Sequence, residues 1–253
     1  MRRTLSRFDV AYGVLRSLVV YYGQPWRRIA LKRFYRDLIS PGDLVFDIGA
    51  HVGSRSHTLL SLGARVVAVE PQPVLADLVR RHIGGRLTAL EEKAVSDSEG
   101  EIELVISSRN PTVTSTSRQF IETVGSIDSF KSVVWDRKIT VPVTTLDALV
   151  ARYGMPAFCK IDVEGAELDI LNGLSSPIPL VAFEYIPAMA TTAVGCIDRL
   201  MEIGDYRFNR VLGERHRLVA DSWLTAVEMK RFISELTPDE TSGDIYARLE
   251  SLT

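Results

Sequence analysis

Short branched apolar runs alternate along the chain with stretches whose apolar residues recur every three or four positions. Up to about Ile39 the spacing is helical, with few breakers. Ser40-Pro41-Gly42-Asp43 then punctuates the chain, and "LVFDIG" reads as a strand. "SRSHTLLSLG" predicts a helix closed by Gly63. "ARVVAVEP" predicts a second strand, apolar enough to be buried on both faces. "VLADLVRRHI" is the next amphipathic helix, and "RLTALEEKAV" holds a third strand ending near Ala94 and Val95.

At "SDSEGEIELVISS" the rhythm changes, because a further strand starts straight after a turn with no helix between. Residues 109–138 are polar, rich in Ser and Thr and weakly periodic, which predicts a long functional loop or lid. The remaining order is strand "ITVPVTTL", helix "DALVARYG", strand "AFCKIDV", helix "GAELDILNGL", strand "LVAFEYIP" and a helix over Ala190–Ile203. "YRFNRVLGERHRLVA" reads as two strands joined by a tight turn, and so as an antiparallel pair. The tail after Asp221 reads as a helical addition. Alternating strands and helices imply a mostly parallel sheet with helices on both faces. An antiparallel hairpin closing such a sheet fits a methyltransferase layout better than that of nicotinamide dehydrogenases.

Composition bounds this picture. At 253 residues and 46% hydrophobic, the chain can bury one substantial core. A net charge of -2 leaves no general basic footprint for nucleic acid. The charge is uneven, however: to Arg36 the chain carries nine Arg and Lys residues against Asp9 alone. That basic end suits an acidic partner or a membrane surface, or is simply a solvated helix face. Two cysteines, Cys159 and Cys196, are too few for a disulfide framework and point to a reducing, cytoplasmic setting. "VAYGVLRSLVVYYG" is too short to span a bilayer and reads as a packed or interfacial helix.

The candidate chemistry starts at the first strand end, Asp47-Ile48-Gly49-Ala50-His51-Val52-Gly53. A pyrophosphate site wants G-x-G-x-x-G at a helix N-terminus, whereas here the glycines are spaced G-x-x-x-G behind an aspartate. A carboxylate there suits a ligand with positive charge, such as the ammonium and sulfonium of S-adenosylmethionine. Glu70 ends the second strand roughly twenty residues on, where an acid accepts from ribose hydroxyls. His51 is either a base or donor near the ligand, or a polar residue at a bend. Asp162 and Glu184 end two later strands and point to the same crevice as Asp47, with Glu164 opening the helix after Asp162. They can orient a hydroxyl, take its proton, or bind a divalent cation through oxygen. Glu164 reads equally well as a helix N-terminal residue favoured by the dipole.

The motifs "FDIGAHVG", "VVAVEPQP", "AVSDSEG", "TTLDAL", "KIDVEGAELDILNG" and "FEY", in that order, resemble the FkbM-type methyltransferases over about residues 44–187. The resemblance implies a Rossmann-like class I fold, α/β, with a mostly parallel seven-stranded sheet and a terminal antiparallel hairpin. It implies S-adenosylmethionine as donor and a hydroxyl acceptor on a small molecule or glycan. Cofactor contacts are then expected from Asp47, Gly49, Ala50, Gly53, Glu70, Pro71 and Asp162, with Ser96 or Asp97 near the adenine. The catalytic candidates are Asp162, Glu184 and His51, and Asp162, Glu164 and Glu184 form the ligand set if a metal is used. The expected organisation is an N-terminal helical segment (1–40), a methyltransferase domain (41–221) and a C-terminal helical tail (222–253). The rival readings are a non-catalytic adenosyl-binding protein and a nicotinamide-dependent oxidoreductase.

Overall fold

A computed structural model describes residues 7–125 and 133–250. Helices α1 (Arg7–Tyr22) and α2 (Pro25–Arg36) precede strand β1 (Leu44–Ile48). Then follow α3 (Ser54–Leu60), β2 (Arg65–Val69), α4 (Pro73–Ile83), β3 (Ala89–Glu91), β4 (Ala94–Val95) and β5 (Gly100–Ile106). Beyond them come α5 (Arg118–Gly125), β6 (Arg137–Thr144), α6 (Leu146–Tyr153), β7 (Phe158–Ile161), α7 (Glu167–Asn172) and β8 (Leu180–Tyr185). The last are α8 (Ala190–Ile203), β9 (Tyr206–Leu212), α9 (Ala226–Ser234) and β10 (Gly243–Leu249).

Seven strands form the main sheet in the order β3-β2-β1-β7-β8-β10-β9. Pairings from β3 through β8 are parallel, and β10 runs antiparallel to both β8 and β9. Every residue of β1 is buried because both faces of the sheet are covered. On one side Phe46 and Ile48 meet Leu149, Ile170, Ile197 and Met229 from α6, α7, α8 and α9. On the other, Val45, Val66 and Phe158 meet Phe34 and Tyr35 of α2 and Leu59 of α3. The chain leaves β1 in one direction towards β2 and β3, and returns on its other side as β7 and β8. The carboxyl ends of β1 and β7 therefore flank the switch point, where ligands bind in open α/β sheets.

Four expectations are corrected. "RLTALEEKAV" is two strands: β3 joins the main sheet, and β4 joins a second sheet of order β4-β6-β5. That small sheet has its own apolar layer of Ala94, Leu104, Ile106, Val141 and Val143, which draws the chain away after Glu91. The expected lid at 109–138 contains a 3-10 turn at Pro111–Val113, all of α5 and the start of β6, while 126–132 lie outside the described residues.

The second arm of the predicted hairpin forms only isolated bridges, Val211↔Leu218 and Phe208↔Leu224. Its place is taken by "GDIYARL", whose Ile245, Tyr246 and Ala247 are all buried between two strands and two helical layers. The stretch after Asp221 is thus no helical addition. It supplies α9, started by a reciprocal Thr225–Glu228 capping box worth about 1 kcal/mol, and the sixth strand of the sheet.

Candidate functional site

The first strand end is built around two buried carboxylates. Asp47, 1% exposed, accepts a hydrogen bond from Ser56 Oγ of α3 at 2.5 Å. Burial pushes its pKa up, and a cationic ligand beside it would favour the charged form. Glu70, 3% exposed, accepts from the His51 amide at 2.7 Å and the Gln72 amide at 2.8 Å. One side chain therefore holds the loops after β1 and β2 together. Burial nevertheless pushes Glu70 up to about 8. Gly49 has φ +81, and a Cβ there would lie 1.9 Å from the Asp162 carbonyl oxygen. The loops leaving β1 and β7 touch backbone to backbone at this point, which is why no side chain fits. Gly53 forms the left-handed N-cap of α3 beneath the loop.

His51 also has a positive φ, of 51°. Its Nε2 lies 3.4 Å from Ser17 Oγ, its ring stands edge-on to Tyr21 at 5.3 Å, and its buried Nδ1 has no hydrogen-bond partner. Burial pushes its pKa down to about 4, so the imidazole is neutral at physiological pH.

Asp162 leaves β7 with its amide donating to the Ile48 carbonyl at 3.0 Å. Its carboxylate pairs with Arg55 at 3.2 Å and with Lys160 at 3.4 Å. Lys160 is fully buried and also pairs with Asp244 of β10 at 3.0 Å. Burial works to raise the Asp162 pKa, yet the two cations outweigh it and hold the carboxyl below its ordinary value. The turn that follows is held by Glu167, whose Oε1 accepts from the Gly165 amide at 3.1 Å. Oxygens of Asp162, Glu164 and Glu184 lie within 4.8 Å of one another. Burial, and then the neighbouring carboxylates, push Glu164 and Glu184 well above the usual range. Glu184 Oε2 is buried with no hydrogen-bond partner. This all-oxygen set suits a hard divalent cation, with Arg55 and Lys160 already offsetting part of its charge.

A cleft of about 850 Å³ lies over these strand ends. Asp47, Gly49, Ala50, His51, Glu70, Pro71, Asp162 and Glu164 line it, whereas Gly53, also expected at the cofactor, does not. Glu184 sits beside Asp162 and Glu164 but behind the lining. Ser96 and Asp97 are outside it: β4 is bound to β6, so the cleft wall is formed by Lys93, Ala94 and Val95, and Asp97 is exposed. The sequence reading did not single out Tyr21, Arg55 or Gln72, which also line the cleft, while the Thr114–Thr116 strip comes from the stretch expected to be a functional loop. Arg55 had a readable signal, as the one charged residue in the first turn after the glycine loop. Tyr21 had none, since it reaches the cleft from a helix before the sheet begins.

Residues 47–208 match the family model described as "Methyltransferase FkbM domain". The chain belongs to the FkbM methyltransferase family. The resemblance drawn from the motifs therefore holds. A curated relative, the 31-O-demethyl-FK506 methyltransferase FkbM of Streptomyces tacrolimicus, is 29% identical over 163 residues, covering 54% of this chain and 61% of the relative. A ribosomal RNA small subunit methyltransferase A of Anaeromyxobacter dehalogenans is 45% identical over 53 residues, covering 21% of this chain and 19% of the relative. The chain thus spans less than two thirds of either. Among solved structures, a precorrin-6y C5,15-methyltransferase from Geobacter metallireducens has a TM-score of 0.46 at 12% identity, covering 90% of this chain and 88% of that one. An O-methyltransferase from Bacillus cereus in complex with SAH has a TM-score of 0.43 at 13% identity, covering 98% and 93%.

Proposed function

We propose that this FkbM-family chain is an S-adenosylmethionine-dependent O-methyltransferase acting on a hydroxyl of a small molecule or sugar-containing metabolite. The observation that carries the reading is the pair of buried carboxylates, Asp47 and Glu70, flanking a glycine turn too tight for any side chain. Asp47 would face the positive end of the cofactor, and the free lone pairs of Glu70 would accept from its ribose hydroxyls. When bound, S-adenosylmethionine supplies a methyl group activated by its sulfonium. The protein's task is to hold the acceptor oxygen in line with that methyl and to take the hydroxyl proton as the new C–O bond forms.

Asp162, His51 and Glu184 are the three candidates for that proton, and they are not equal. Asp162 is committed to Arg55 and Lys160, which makes it a weak base and a good anchor. Neutral His51 has an unpartnered nitrogen but a low affinity for protons. Glu184, with a raised pKa and an unpartnered oxygen, is the strongest acceptor of the three once ionised. The same carboxylate cluster favours a second reading, in which Asp162, Glu164 and Glu184 would hold a divalent cation that would supply Lewis-acid activation of the acceptor hydroxyl.

The test is incubation with labelled S-adenosylmethionine and a panel of hydroxyl-bearing acceptors, with the labelled product identified. Glu184→Gln and Asp162→Asn should each reduce turnover by about 100-fold or more, the scale of general acid–base catalysis, with a much smaller change in cofactor affinity. If both keep near wild-type turnover, the assignment of the proton acceptor fails. Loss of activity on chelation, restored by a divalent cation, selects the metal-assisted reading. Calorimetry with NAD(H) beside S-adenosylmethionine separates the oxidoreductase alternative, and cofactor binding without transfer to any acceptor would mark a binding protein instead.

A further inference from the structure

Helix α1 has two apolar faces, and the protein body covers only one. Inward, Gly13 packs so closely that a Cβ would lie 2.3 Å from the Ser108 carbonyl oxygen. On the same side Ser17 meets His51, and Tyr21 lines the cleft. Outward, Tyr12, Leu15, Val19 and Val20 are 55%, 60%, 61% and 41% exposed, at the i, i+3, i+7, i+8 spacing of one helical stripe. Helix α2 repeats the arrangement. Leu31, Phe34 and Tyr35 are buried against the sheet, while Trp26 and Ile29 are 65% and 60% exposed. Large apolar side chains exposed together on a helix face mark an interaction surface, and each of these two outer faces presents such a group.

The charge around them identifies the cover. From Val10 to Arg36 the chain carries Arg16, Arg27, Arg28, Lys32, Arg33 and Arg36, and no acidic residue, although the whole molecule has a net charge of -2. A second copy of this face would bring arginines against arginines. Nucleic acid would answer the charge but offers nothing to Leu15, Val19 and Ile29. An anionic bilayer answers both, taking the aliphatic side chains below its headgroups, Tyr12 and Trp26 at the interface and the basic side chains against phosphate. No helix among the described residues is long and apolar enough to cross a membrane, which fits helices lying on the surface rather than spanning it. We infer that the outer faces of α1 and α2 dock the protein on an anionic lipid bilayer.

The test is co-sedimentation of the full chain with vesicles of phosphatidylcholine alone and of phosphatidylcholine with phosphatidylserine. Binding is expected to the second and to fall with added salt. Trp26→Ala with Ile29→Ser, and Arg27→Gln with Arg33→Gln, should each weaken it by about tenfold or more, since each surface cation contributes on the order of 1 kcal/mol. These side chains are exposed, so thermal melting and S-adenosylmethionine binding should stay as in the wild type. The inference is overturned if neither vesicle sediments the protein, or if the variants bind anionic vesicles as well as the wild type does. It is equally overturned if ultracentrifugation shows a dimer that the variants dissociate, or if the protein retains RNA but not vesicles.

Discussion

Glu70 shows how far one side chain can link fold and ligand. Its two oxygens join two loops, and its burial pushes the carboxyl up to about 8 from an ordinary 4.5. Between those values the folded protein keeps a proton that the unfolded chain has released, so this group's contribution to stability falls as pH rises through the window. Glu70→Gln should flatten that slope in urea unfolding measured at several pH values. Ribose hydroxyls donate to the ionised form, so cofactor binding should release a proton near pH 7. Calorimetry in buffers of different ionisation enthalpy would detect it, and the variant should release none. That Asp47, Gly49 and Glu70 share one cleft was legible in the sequence because they lie at or just past the ends of two adjacent strands, β1 and β2, at a short fixed spacing. Arg55's pairing with Asp162, and Ser17's approach to His51, were not, since the partners come from distant segments.

At the scale of elements, the site depends on how closely β1 and β7 approach at their carboxyl ends. Gly49→Ala would place a methyl on the Asp162 carbonyl in a backbone region that disfavours side chains. A loss of about 3 kcal/mol or more is expected, measured by urea denaturation, together with loss of cofactor binding. The parallel strands and most helices were legible from apolar periodicity. The split of β3 from β4 was not, because only Glu92 and Lys93 separate two strands that belong to different sheets. The second arm of the hairpin was misread for a related reason. "HRLVA" and "GDIYARL" have similar local patterns, and only tertiary burial selects the later one.

For the whole molecule, the stretch after Asp221 is structural. Met229 and Ile233 of α9 join the main apolar layer, and β10 pairs on both sides, joining β8 to the edge strand β9. Deleting 222–253 should therefore yield insoluble or unfolded protein rather than a trimmed enzyme, read by circular dichroism and gel filtration. A soluble, cofactor-binding product would show that the sheet closes without β10. That strand also carries Asp244, one of the two carboxylate partners of buried Lys160, whose other partner is Asp162 in the cleft. Strand β10 follows every other strand in the sequence yet lies sixth in the sheet. During synthesis on the ribosome, β9 emerges before its ladder neighbour exists, and Lys160 waits with half its counter-charge. The counter-charge of Lys160 is thus complete only once Asp244 has been made and β10 has paired, which ties the last strand formed to the electrostatics of the cleft.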